Sequence, residues 1–461
     1  MQRLFAIAWL TWKAAFRFRL FLVIAVLLLA AVVGLPLLLK DDGTARGFTQ
    51  ILITYTLSVI TVLLGLSTLW LSCGTLARDI EECQIQVVAT KPVARWQIWL
   101  GKWLGIMSLN AALLALSGAS VYGLLQWRAT RLPAAEQVIL HTEVLVARGE
   151  AHPPDNNAAI DARTEQLLQE RLKQTQISSV DLAAARQQIR EQVKAVYQLV
   201  PPRYTREWQI DLGLARNFLH GQPLQMRVKF NTAQGSASGT FVGLWQVGVP
   251  GTANVWRSGP MSLSPNAYHE FEIPPDLFDS QGVLTIAFLN ANDTTMLFPV
   301  EDGMEVLYPK GGFTLNFVRG LGIVFCWMAL LAAIGLASAS FLSFPVATFF
   351  SLALLVVVFS SGTLAEAVAT GSVMGVNEET GAMGHFAADV IIMPLFKGIV
   401  AVVGVVKNFS PIDSLSNGRA ISWSELGAAF GQIVLLFGGM VGLIGIRLFA
   451  RRELATAQGN Q

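Results

Sequence analysis

The chain has 461 residues, a net charge of +2 and three cysteines, Cys73, Cys83 and Cys326. Charged residues make up only 14% and hydrophobic ones 53%, against about 25% charged in an average soluble chain. This excludes a basic nucleic-acid-binding domain and a disulfide-stapled scaffold, and the deficit is uneven: long apolar runs fill the two outer thirds, whereas the middle third reads as soluble sequence.

Residues 1–127 open with an aromatic, basic stretch. Phe5, Trp9, Trp12 and Phe16 recur at steps of four, three and four, which sets all four rings on one helical face. Together with Arg3, Lys13, Arg17 and Arg19 this predicts a helix lying in the membrane interface against anionic lipid. Leu20–Leu39 is long enough to cross about 30 Å of hydrocarbon, and no small-x-small cleavage site follows it, so it reads as a retained anchor. Ile51–Gly74 and Trp103–Trp127 are the second and third apolar runs.

Residues 128–312 follow as a water-exposed insert. Its first part, 133–200, is rich in helix formers, and Val180–Leu199 has helical periodicity up to Pro201-Pro202. From 203 to 310 the period switches to alternation. Glu207–Leu212, Leu224–Phe230, Thr240–Val247, Tyr268–Ile273, Leu284–Leu289 and Met304–Tyr308 read as strands between turn clusters. Short strands at this spacing predict a β-sandwich of jelly-roll type. Trp245, Trp256 and Tyr268 offer rings on which a glycan would stack; aromatic enrichment in strands gives the same pattern from core packing alone.

Residues 313–461 hold Gly320–Leu342, Val346–Leu364 and Glu425–Ile446, with Ser343-Phe344-Pro345 as a break. The total is about six spans. Val390–Val406, interrupted by Pro394, Lys397 and Gly404, is short for a crossing, and 385–410 reads as a re-entrant or interfacial segment. The expected fold is an α-helical polytopic membrane protein with an inserted extracytoplasmic α+β domain. Basic residues crowd the N-terminal stretch, the segment after the second run (Arg78, Lys91, Arg95, Lys102) and the C-terminal end (Arg447, Arg451, Arg452). The positive-inside rule makes that shared side cytoplasmic and leaves 128–312 outside.

The segment 75–102 carries the most information. Asp79, Glu81 and Glu82 form an acidic cluster, followed by Thr90-Lys91-Pro92-Val93-Ala94-Arg95, Trp96 and Gly101-Lys102. This order resembles the permease subunits of type-2 ABC exporters, including permeases of the multicopper-enzyme-maturation kind. Cys83-Gln84 stands where that family usually has Gly-Thr. Arg451-Arg452-Glu453-Leu454-Ala455 after the last run is also similar to the family, and some members carry an outer insert after the third span. The resemblance implies a plasma (bacterial inner) membrane location and pairing with a second permease subunit, as homodimer or heterodimer. It also implies a coupling helix held by a separate ATPase subunit, with ATP and Mg²⁺ on that partner. Asp79, Glu81, Glu82, Lys91, Pro92, Arg95, Trp96 and Lys102 are the expected coupling residues.

No G-x-x-x-x-G-K-[ST] loop occurs in the chain itself, so no nucleotide site, cofactor or nucleic-acid partner is expected here. His141, His152, His220, His269 and His385 show no metal-ligand spacing, and no nucleophile elbow is present. Arg319, Glu366 and Arg447 lie at span ends and Asn110 and Gln432 are neutral, which argues against an ion-coupled carrier. A non-transporting receptor or scaffold, with the outer domain as its active part, is the rival expectation.

Overall fold

The computed structural model describes residues 2–17, 19–38, 44–82, 84, 93–174, 181–236, 238–370, 389–407 and 409–452. They form two compact units, 1–147 with 311–461, and 148–310. The helical unit thus claims 128–147, which the sequence reading assigns to the insert.

In the first unit α1 (Gln2–Arg17) leads into α2 (Arg19–Leu38), the pair bending by 79°. Then come α3 (Ala45–Glu81), α4 (Arg95–Ala129), the short α5 (Ala134–Ile139) and a π-helical turn, Leu140–Val144. In the second unit β1 (Val146–Ala151) is followed by α6 (Asn157–Gln174), α7 (Asp181–Gln198), β2 (Leu199–Val200) and β3 (Thr205–Asp211). Next are α8 (Arg216–Leu219), β4 (Leu224–Val228), β5 (Asn231–Thr232), β6 (Phe241–Gly248), β7 (Val255–Arg257) and β8 (Met261–Leu263). The strands end with β9 (His269–Ile273), β10 (Val283–Asn290), β11 (Met296–Leu297) and β12 (Met304–Gly312). The chain returns to the helical unit with α9 (Phe313–Ala339), α10 (Phe344–Phe359), α11 (Ser361–Thr370), α12 (Asp389–Lys407), α13 (Pro411–Ser416), α14 (Trp423–Ala429), a π-helical stretch Phe430–Gly438 and α15 (Gly439–Arg451).

Four helices among the described residues are long and apolar enough to cross a membrane: α3, α4, α9 and the continuous 423–451. The bent pair α1–α2 makes a fifth if it is one span. The expected fifth run, Val346–Leu364, divides at Ser360 into α10 and α11, and the 16 residues of α10 fall short of the roughly 20 a crossing needs. Residues 389–407 form a single helix with Pro394 inside it; 385–388 and 408 lie outside the described residues.

The spanning helices solve two problems of an apolar surrounding. Hydroxyls need partners there, and Thr49, Thr56 and Thr68 donate back to the carbonyls of Ala45, Leu52 and Leu64. Asn110 Nδ2 then donates to Thr68 Oγ1 at 2.9 Å. Close approach needs small residues: a Cβ built on Gly335 would stand 1.8 Å from Ser72 Oγ, and one on Gly445 2.9 Å from Ala337 Cα. On α1, Phe5, Trp9 and Phe16 are exposed, while Trp12 Nε1 donates to Ser108 Oγ at 2.7 Å. Three of the four aromatic rings therefore face outward, and Trp12 docks the helix on α4.

The second unit contains all six expected strands. One sheet has the order β1-β12-β4-β9, a second β3-β10-β6-β7 with β8 on β6, and a third β2-β11-β5. Alternation sends Met226 and Val228 of β4, Val306 of β12 and Ile273 of β9 into the same core as Trp245 and Val247 of β6 and Ile286 and Phe288 of β10. Helices α6 and α7 pack through Ile160, Leu168, Ile189 and Val193, with Arg190 Nε donating to Asp161 at 2.9 Å on their surface.

Candidate functional site at the helix ends

The expected coupling residues flank the gap between α3 and α4. Lys91, Pro92 and Cys83 lie outside the described residues; Asp79, Glu81, Glu82, Arg95, Trp96 and Lys102 are all placed. Helix α4 begins at Arg95 because Ala94 holds an extended φ/ψ and its N–H donates to Gln97 Oε1.

Arg95 does not project into solvent. Its Nη1 donates to the carbonyls of Phe449, Ala450 and Arg452 at 3.0, 2.7 and 2.8 Å. The last carbonyls of a helix have no intrahelical partner and carry negative partial charge, so a guanidinium there caps α15. Arg452 repeats the device one helix further on: its Nη1 donates to Ala339 O and Ser340 O at 3.4 and 3.3 Å, at the end of α9. The N-terminus of α4, the C-terminus of α15 and the C-terminus of α9 are thereby chained together by two arginines.

Glu81 works with the opposite polarity. Its Oε1 accepts the backbone N–H of Phe344 at 2.7 Å, placing a carboxylate at the positive start of α10. The Phe344 ring meets Trp70 edge-on at 5.2 Å and lies 4.4 Å from the Arg78 guanidinium. Lys102, two turns into α4, is buried and donates to Asp79 Oδ2 at 2.6 Å and Thr75 O at 2.7 Å, which bolts α4 to α3. Glu82 and Trp96 have exposed side chains. Glu82 accepts from Gln84 Nε2 at 2.6 Å.

Three of these roles, those of Arg95, Arg452 and Glu81, were invisible to sequence reading. The carbonyls at 449–452, the carbonyls at 339–340 and the amide of Phe344 have no side-chain signature and lie far along the chain. The one available signal was Gly442-x-x-Gly445: Trp99 sits against both glycines, at 3.1 and 3.2 Å from their built Cβ positions, bringing α15 close enough for Arg95 to reach its end.

The aromatic trio of the second unit does not form one surface. Trp245 is buried, its ring 4.6 Å from Phe288 and edge-on to Phe298 at 5.9 Å, so it is core and closed to a glycan. Trp256 is partly buried and stacks on Phe271 at 6.4 Å. Tyr268 is exposed, its hydroxyl donating to Asp302 at 2.9 Å and its ring under the Lys229 ammonium at 5.0 Å. Lys229 Nζ also pairs with Asp302 at 2.7 Å. Burial would raise the Asp302 pKa, but the hydrogen bonds from Lys229 and Tyr268 and the Lys229 charge together bring it below the usual carboxylate value.

The polar face of the β1-β12-β4-β9 sheet carries a row of charge. Arg227 of β4 stands directly opposite Glu305 of β12 and Glu270 of β9, donating to Glu305 Oε1 at 2.8 Å. Arg148 of β1 pairs with Glu270 and donates to Gln225 Oε1 at 2.7 Å. Buried charges persist only when paired, and here they are paired across strands.

Compared with family models, curated proteins and solved structures, the chain finds no match.

Proposed function

We propose that this chain is the membrane-embedded permease subunit of an ATP-driven exporter of ABC type, moving an amphiphilic or envelope-related cargo. The observation that carries this reading is the clasp arrangement at 75–102. The residues on both sides of the gap between α3 and α4 hold the start of α10 and the end of α15, and Arg452, just past α15, carries the connection on to the end of α9. A push on that segment is thus delivered to several helices at once, which is what a subunit driven from outside the membrane requires. ATP and Mg²⁺ are then bound by a separate ATPase subunit, and a second permease subunit, the same or similar, completes the transporter.

In this reading the helices form six spans, with α1 in the interface and α10–α11 completing the fifth. The basic ends face the cytoplasm, and 148–310 is an extracytoplasmic β-sandwich of jelly-roll type. The shared core of the strands supports the sandwich. The Lys and Arg distribution supports the orientation.

The decisive variants are at exposed side chains, because Arg95 and Glu81 also hold helices. In Glu82→Lys/Trp96→Glu the Walker-motif ATPase that accompanies the native protein is expected to be lost on purification. Thermal stability should stay within about 0.5 kcal/mol, as for ordinary surface changes. Undiminished co-purification, or a native protein that has no ATPase companion, overturns the proposal and leaves a membrane-anchored receptor or scaffold.

A further inference from the structure

Outside the helix-end contacts, the second unit brings Glu305 to Glu150 and His152, from which the chain order keeps it far apart. Glu150 and His152 are two residues apart at the end of β1, and such residues share one face of an extended chain. Glu305 comes from β12, the neighbouring strand. One donor atom from each of the three lies within 4.8 Å of the others, and Glu305 is buried. We propose that Glu150, His152 and Glu305 form a binding site for a divalent transition-metal ion of the zinc class.

The donor set is one imidazole and two carboxylates, and three such ligands with a fourth open position suit Zn²⁺. Tetrahedral bonds of about 2.0–2.2 Å put the donors about 3.3 Å apart. His152 Nε2 and Glu150 Oε1 are already 3.6 Å apart, and both side chains are about 40% exposed, so small rotations close the set around the buried oxygen. Glu305 can serve two masters: Oε1 accepts Arg227, and a carboxylate has further lone pairs for a cation. Arg227 then orients the ligand, as outer-shell partners of metal carboxylates do.

This inference is independent of the exporter reading. Its test is calorimetric titration of Zn²⁺ into the chelator-treated full chain in detergent micelles, carrying no polyhistidine tag. Bound zinc is counted by mass spectrometry. One ion per chain is expected, and His152→Ala and Glu150→Gln should each weaken binding about tenfold or more, a change of at least 1.4 kcal/mol. Both positions are exposed, so metal-free melting should be unchanged in both variants. No stoichiometric binding overturns the site. Equal binding by wild type and both variants, an adventitious ion only, overturns it too.

Discussion

Lys102 is the residue where charge and burial conflict most sharply. Its ammonium is buried between α4 and α3, where, among the described residues, Asp79 and the Thr75 carbonyl accept from it. Breaking a fully buried ion pair costs about 3–5 kcal/mol, while replacing both partners by apolar groups is often neutral. Asp79 is 32% exposed, so Lys102→Met alone is expected to cost about 2–3 kcal/mol, read as a fall in melting temperature in detergent. The pair Lys102→Met/Asp79→Leu should recover most of it. In the second unit, Asp302 has a folded pKa below its unfolded value of 3.8. Its contribution to stability is therefore present above about pH 4 and lost as pH falls through the folded pKa. Asp302→Asn should flatten the acid limb of the stability curve, measured by thermal unfolding between pH 6 and 3. The types and order of the clasp residues were legible in the sequence. Their partners were not, because most are backbone atoms, which every residue possesses.

At the level of elements, helix ends and close crossings govern the helical unit. Arg452→Ala removes the donor to the end of α9, and losing such a charge–dipole contact costs about 0.3–1 kcal/mol. The expected sign is faster amide exchange at 336–340, read by mass spectrometry. Two glycines separate tolerable from intolerable crowding. At Gly118 the nearest atom to a built Cβ is Leu321 Cδ1, the end of a side chain that can turn away. At Gly335 it is Ser72 Oγ, backed by Ser72 Cβ at 2.9 Å and Leu69 O at 3.3 Å, and rotating the hydroxyl leaves those in place. Gly335→Ala is thus expected to destabilise by about 1–3 kcal/mol and Gly118→Ala by less, with melting temperature as the check. Hydrophobic runs announced these helices, yet they overstated one. Val346–Leu364 reads as continuous by apolar content, and its division at Ser360 falls beside Ser360-Ser361-Gly362, a weak helix-forming run that an apolar count passes over.

For the whole molecule, the second unit has its own core of β-strand side chains and a further one of α6 and α7. Its first and last strands, β1 and β12, are neighbours in one sheet. An insert whose two ends meet closes on itself, so residues 146–312 expressed alone should unfold cooperatively by circular dichroism; a gradual, non-cooperative melt would show that it leans on the helical unit. Amino-acid order by itself determined the class of the protein: apolar runs must leave water, and alternating runs must form half-buried strands, because both follow from local periodicity and the hydrophobic effect. Tertiary structure alone decided which helix ends Arg95, Arg452 and Glu81 hold, that Trp245 is core, and that Glu150 and His152 meet Glu305. Each of these is a meeting of groups distant in sequence, and their spacing along the chain carries no trace of it.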